Sequence, residues 1–144
     1  ISSKIIFKLL EWKFERALLC LQKEFAERMV AEPGSRNYSR LTVMTNIYFK
    51  PVFLKVVKKG NFRPIPKVDS AIILLFPKKT KIDKKRDEII RMLFTHKNKK
   101  ISAILKFKEF SKMKGKIERR AKELGIYDKR VFQIDPETLA ILSH

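Results

Sequence analysis

The stretch "PVFLKVVKKGNFRPIPKVDSAIILLF", residues 51–76, decides the fold. Its first part, 51–59, is rich in valine and aromatic side chains, and its last, Ala71–Phe76, is an unbroken apolar run. Both read as strands. The connection between them, 60–70, is short and irregular, which predicts antiparallel neighbours. Inside it, Pro64 fixes its own φ and disfavours helix at Arg63, and Pro66 does the same for itself and Ile65. The segment Phe62–Pro66 is therefore stiff and extended. Two readings of Phe62 stay open at this point. A stiff loop presents an aromatic face at little ordering cost, which suits stacking on a nucleobase, worth about 1–3 kcal/mol per base. In the other reading Phe62 plugs the core and the prolines merely end a strand.

Working outward, Ser2 or Ser3 caps a helix that runs to about Trp12, with Ile5, Ile6, Leu9 and Leu10 on one face. "RALLCLQ" (16–22) is apolar on both faces. It predicts a central strand covered on both sides, with Cys20 as a buried structural thiol. "KEFAERMVA" (23–31) and "RLTVMTNIYF" (40–49) read as helices, separated by a Pro-, Gly-, Asn- and Ser-rich loop. Composition changes at Pro77. "KKTKIDKKRDE" (78–88) reads as a charged, solvated linker. Helical patterns follow over 88–107, 114–125 and 135–143, the last opened by Asp135 as cap and Pro136 at its first position. The expected organisation is an α/β piece over 1–77, a basic linker over 78–87 and a small helical domain over 88–144.

Charge narrows the partners. Lys and Arg number 34 against 15 Asp and Glu, a net charge of +19. Self-repulsion of that size weakens a compact state and is readily tolerated beside a polyanion. Nucleic acid fits first, because backbone phosphates reward Lys and Arg through counterion release; an anionic membrane surface is the rival. No apolar run reaches the roughly 18 residues of a transmembrane helix, and the N-terminus is too charged for a signal peptide. One cysteine and two histidines make neither an internal disulfide nor a recognisable zinc site. A cytoplasmic protein without a metal is expected.

Three further places invite chemistry. Gln22 and Lys23 follow a strand end, where α/β sheets bind ligands, although a solvated helix face explains them equally simply. Arg36 and Arg40 flank Tyr38 at a loop-to-helix junction, where phosphate contact and plain solvation both stand. The helical part carries "HKNKK" (96–100) and "KGKIERRAK" (114–122), whose apolar positions leave the basic residues outward. Two such faces favour nucleic-acid contact, and the excess of lysine suits backbone tracking more than base readout. The RNA-binding candidates are Arg36, Arg40, Lys67, Lys97, Lys99, Lys100, Arg119 and Arg120.

"LQKEFAERMVAEPGSRNYSRLTV" followed by "FRPIPKVDSA" resembles the ribosomal RNA adenine N6,N6-dimethyltransferases, and "FTHKNKKISAIL" (94–105) resembles the corresponding helix of their archaeal branch. The resemblance implies the C-terminal part of a Rossmann-like, S-adenosylmethionine-dependent methyltransferase domain followed by a small all-α domain. It implies dimethylation of two adjacent adenosines near the 3′ end of small-subunit rRNA during ribosome biogenesis, by a monomer acting on the rRNA or a precursor particle. The family's phenylalanine before Pro-x-Pro stacks on the flipped-out adenine and maps onto Phe62, with Pro64 and Pro66 as loop support.

The family's glycine-rich cofactor loop, its acidic ribose ligand and its Asn-Leu/Ile-Pro-Tyr motif have no counterpart in these residues. The last of these normally precedes Ile-Ser-Ser, as in Ile1-Ser2-Ser3. Other departures are Lys58-Lys59-Gly60-Asn61 for the usual Pro-Pro, Ser39 for the glycine of Tyr-Gly-Arg-Leu, and Ser102 for a common arginine. These 144 residues by themselves are expected to bind RNA, not the cofactor, and to be inactive. Two other readings remain: a non-catalytic RNA-binding ribosome-assembly factor, and an erythromycin-resistance-type methyltransferase of large-subunit rRNA.

Overall fold

The computed structural model describes residues 4–144, so the proposed Ser2 or Ser3 cap lies outside the described residues. The chain divides into two compact units, 1–31 with 41–81, and 32–40 with 82–144. The segment 32–40, placed in the α/β piece by sequence, packs with the second unit.

The first unit holds α1 (Lys4–Leu10), β1 (Ala17–Gln22), α2 (Lys23–Met29), most of α3 (Arg40–Tyr48), β2 (Phe49–Val57) and β3 (Ser70–Pro77). The strands form one sheet in the order β1-β3-β2, antiparallel throughout. The β2–β3 pairing agrees with the sequence expectation. Pro51 lacks an amide donor and is tolerated because β2 is an edge strand. The register shifts between Phe53 and Lys55, a bulge that leaves Leu54 49% exposed.

One face of the sheet is the core. Ala71, Ile73 and Leu75 of β3 are fully buried, together with Phe25, Ala26 and Met29 of α2 and an α3 buried along most of its length. The helix ends are satisfied locally. Thr42 Oγ1 donates to the Arg28 carbonyl, and Asn46 Nδ2 donates to the Met29 carbonyl at 3.1 Å. Residues of α3 thus close the C-terminal carbonyls of α2, which have no partner inside their own helix.

The expectation for β1 is corrected. It is an edge strand of this sheet, with alternating half-buried and exposed residues, not a strand covered on both faces. Leu18 is 64% exposed, and Cys20 is an exposed free thiol where a buried one was expected. The physical reason is that Leu18 and Cys20 lie opposite Leu74 and Ile72 in the register, on the side away from the buried Ala71, Ile73 and Leu75, where burial is only partial.

The second unit is helical: α4 (Lys84–Phe94), α5 (Ile101–Ile104), α6 (Lys114–Glu123) and α7 (Pro136–Ser143), with short 3-10 turns between. Asp135 caps α7 by accepting the Thr138 amide at 3.0 Å, with Pro136 in the first turn, as the sequence indicates. Gly125, at φ 71°, ends α6: the Gly125 amide donates to the Lys122 carbonyl and the Ile126 amide to that of Ala121. The single helix expected over 88–107 is two. Residues 97–100 leave the helix to pair with 130–132: Val131 and Phe132 amides donate to the Lys99 and Lys97 carbonyls, and Lys100 bridges Arg130. Long-range backbone pairing overrides local helix propensity there.

The solvated linker is also corrected. Asp83 caps α4 by accepting the Arg86 amide at 3.0 Å, and Arg86 and Asp87 are buried at 7% and 4% exposure. Tyr38 is fully buried in this unit, and its hydroxyl donates to the Ile134 carbonyl at 2.6 Å. That places the Tyr38 hydroxyl pKa above its ordinary value, through burial first and the Asp135 charge second.

Candidate nucleic-acid interface

The Phe62 loop is braced from both sides. Asp69 Oδ1 accepts the Lys59 amide at 2.8 Å, and Lys58 Nζ approaches Oδ2 at 3.7 Å. Arg63 Nη1 turns back to the carbonyls of Gly60 at 2.9 Å and Phe62 at 2.8 Å. Asn61 Nδ2 donates to the Lys58 carbonyl. The Arg63–Pro64 peptide is cis, and Phe62 itself is extended, at φ −112° and ψ 152°. Phe62 is half-buried and stands outside the set of buried core residues. Pro66 is half-buried, Pro64 is exposed, and Ile65 between them is 58% exposed.

The loop meets the start of α2. The Lys23 amide donates to the Asp69 carbonyl at 3.0 Å, and Gln22 pairs with Ser70 across β1 and β3. A cleft of about 320 Å³ lies there, lined by Lys23, Glu24, Glu27, Lys59, Lys67 and Asp69 among others. Sequence reasoning placed Gln22 and Lys23 at a strand end, and the chain brings that end to the Phe62 loop.

The Asp69 carboxyl sits below the usual carboxylate range, chiefly because it accepts the Lys59 amide, with the Lys58, Lys23 and Lys59 charges adding to the effect. A depressed carboxyl contributes stability above its unfolded value, and loses it as pH falls through the folded value. The Lys59 amide is expected to keep its exchange protection at neutral pH and to lose it only where pH falls below the ordinary aspartate range. Hydrogen exchange referenced to intrinsic rates measures this; protection of the Lys59 amide unchanged in Asp69→Ala would show that Asp69 does not hold the loop.

The second unit carries most of the other candidates. Arg36, Lys99, Lys100 and Arg119 are exposed. Lys99 Nζ lies 6.0 Å from the Phe107 ring centroid. Lys97 is half-buried, and its Nζ donates to the Tyr38 carbonyl at 3.3 Å. Arg120 is already engaged, since Nη1 donates to the carbonyls of Ile141, at 3.5 Å, and His144. Lys67 is exposed on the first unit, in the Phe62 loop.

Arg40 is different. It is half-buried, and its Nε is shielded from solvent with no hydrogen-bond partner among the described residues. Its pKa is lowered by burial first and by the Arg91 charge second, with Glu88 and Asp87 opposing. A cleft of about 270 Å³ is lined by Ser39, Arg40, Arg91, Phe94, Thr95 and Lys97. Of the residues lining this cleft, sequence reasoning singles out Arg40 and Lys97 as candidates and does not single out Arg91 and Phe94. The available signal was their helical spacing, which sets Arg91, Phe94 and Thr95 on one side of α4.

Among the described residues no cluster could hold a metal, and no helix is long and apolar enough to cross a membrane.

Comparison with known proteins follows the same lines. The family model described as ribosomal RNA adenine dimethylase matches residues 1–132. A probable ribosomal RNA small subunit methyltransferase A of Thermococcus kodakarensis is 42% identical, covering 95% of this chain and 51% of that protein. Its namesake in Methanothermobacter thermautotrophicus is 41% identical, covering 96% and 52%. The chain thus spans about half the length of these relatives. Among solved structures, a dimethyladenosine transferase from Plasmodium falciparum is similar with TM-score 0.88 and 32% identity, over 98% of this chain and 61% of that one. The 23S rRNA methyltransferase ErmE is similar with TM-score 0.62 and 27% identity, over 99% and 61%. A family match across most of the sequence, and relatives aligned over nearly all of it, place the chain in the ribosomal RNA adenine dimethylase family.

Proposed function

We propose that this chain is the C-terminal, RNA-engaging portion of an S-adenosylmethionine-dependent methyltransferase that dimethylates N6 of two adjacent adenosines of small-subunit rRNA. The observation that carries the reading is Phe62, half-buried on a braced loop beside the start of α2. In this reading the target adenine leaves its stack, because N6 is poorly reached inside it, and lies on the Phe62 ring. Pro64, Pro66, Arg63 and Asp69 keep the ring in place, so orientation is settled before the base arrives. The cofactor supplies the methyl group from residues outside this chain, and no transfer step falls to the side chains described above.

The partly exposed side of the sheet supports the same reading. Leu18, Leu54 and Phe76 are exposed at 64%, 49% and 36%. An apolar patch of that kind suits burial under the remainder of the methyltransferase domain. The whole enzyme is proposed to act in the cytoplasm as a monomer on the rRNA or its precursor particle.

The deciding experiment is to pair this chain with the N-terminal half of the Thermococcus kodakarensis relative and map dimethyladenosine on rRNA. Product near the 3′ end of small-subunit rRNA supports the proposal. Product on large-subunit rRNA supports the erythromycin-resistance-type reading, and no product in a folded, RNA-binding assembly supports a non-catalytic factor.

The exposed basic residues of the second unit carry a separate prediction. Replacing Lys99 and Lys100 together by alanine is expected to lower the slope of log affinity against log salt by about 1–2, with fold and melting temperature unchanged. Fluorescence anisotropy across a salt series measures it, and an unchanged slope removes both residues from the footprint.

A further inference from the structure

We propose that the cleft of Arg40, Arg91, Phe94 and Lys97 is a seat for one phosphate group, filled in the working protein by a backbone phosphate of bound RNA. The identity of that source rests on the RNA-binding reading above; the seat itself rests on geometry.

Three cations line the cleft, Arg40, Arg91 and Lys97, and no carboxylate does. The nearby acids lie outside the lining, although Glu88 and Asp87 act on Arg40 from there. Glu88 takes Arg91 Nε on both oxygens, at 3.0 and 2.9 Å. Asp87 is buried beside Arg86 at 3.5 Å, and Glu109 holds His96 at 2.7 Å. Arg40 faces Arg91, a like charge, with Glu88 and Asp87 opposing, and its shielded Nε has no hydrogen-bond partner among the described residues. Glu88 offsets part of the repulsion between the two guanidiniums from outside the cleft lining, and a phosphate in the cleft adds a charge-assisted contact to each of them.

Size and lining narrow the ligand. A volume of about 270 Å³ exceeds a bare phosphate, yet falls below the roughly 300–1,000 Å³ usual for whole small-molecule ligands. Phe94 supplies an apolar wall next to the cations, and its far side packs against Tyr38 at 6.1 Å between ring centroids. Lys97 is fixed to the Tyr38 carbonyl and Thr95 Oγ1 to that of Met92, so neither closes the cleft. A phosphate with part of one nucleotide against Phe94 fits this shape.

The test uses the 144-residue chain and two probes. The first is inorganic phosphate, followed through the Nε–Hε resonances of the arginines. A saturable shift at Arg40 and Arg91, lost in Arg91→Gln, is expected; no saturable shift would overturn the seat. Arg91 is exposed, so Arg91→Gln leaves folding intact. The second probe is a short single-stranded RNA. Arg40→Gln and Arg91→Gln are each expected to weaken binding about 5- to 10-fold and to lower the salt slope by about 1. Tight RNA binding with both variants indistinguishable from the parent would overturn the cleft while leaving the RNA reading intact. A phosphate shift at Arg40 without RNA binding would fail the RNA reading and mark the cleft as a site for a free phosphate, which also overturns the proposal as stated.

Discussion

Replacing Phe62 by alanine in the completed enzyme is expected to lower kcat/KM for rRNA methylation by about 10- to 100-fold, while RNA affinity changes less than about twofold. The magnitude follows from base–aromatic stacking of about 1–3 kcal/mol. The split between rate and affinity follows from placement. In the proposed reading Phe62 touches one base, whereas the exposed cations of the second unit track the backbone, which dominates affinity. Phe62→Tyr or Phe62→Trp keeps a flat ring on the same braced loop and is expected to retain most activity. A fully buried phenylalanine cut to alanine instead costs about 3–5 kcal/mol of stability. Since Phe62 is half-buried, a loss under about 1.5 kcal/mol is expected here. Chemical denaturation of the variant therefore separates the two roles: a stability loss above about 3 kcal/mol with collapsed RNA affinity would make Phe62 a plug.

The parts of the fold that were legible in sequence are those set by local chemistry. Asp135-Pro136 announces α7 because capping and a fixed φ act within one turn. The pairing of β2 with β3 was readable from a short connection between two apolar runs. What escaped depends on distant residues. "RALLCLQ" looks two-sided because its apolar residues alternate with other apolar residues, and nothing in the run says which neighbour covers which face. The break after Phe94 is imposed by residues 130–132 pairing with 97–100, although five polar residues in "HKNKK" already sat badly on an amphipathic helix. The transfer of 32–40 to the second unit turns on the Tyr38 hydroxyl reaching Ile134, a contact across 96 positions. The candidate residues divide in the same way. Phe62, Arg40 and Lys97 stand out in sequence, the first and second through short motifs, while the place of Arg91 and Phe94 beside Arg40 and Lys97 became visible once α4 had been placed.

The pair Arg86–Asp87 carries the second large prediction, on stability. Their side chains are 8% and 6% exposed, with Arg86 Nε 3.5 Å from Asp87 Oδ1. Sequence placed both in a solvated linker, where a charge change costs little, typically within about 0.5 kcal/mol. Burial reverses that expectation. Asp87→Ala removes a buried carboxylate beside the Arg86 guanidinium, a loss of about 3–5 kcal/mol. It also removes an acid from the first turn of α4, where the helix dipole favours one. For a unit of this size the melting temperature is expected to fall by about 15 °C or more. The pair need not be stabilising against an apolar alternative, because two charges were desolvated to make it. Arg86→Met combined with Asp87→Leu is therefore expected to recover most of the loss seen in Asp87→Ala. Calorimetry on the single and double variants decides. If Asp87→Ala melts within about 3 °C of the parent, the two side chains reach water and the linker reading was right for them.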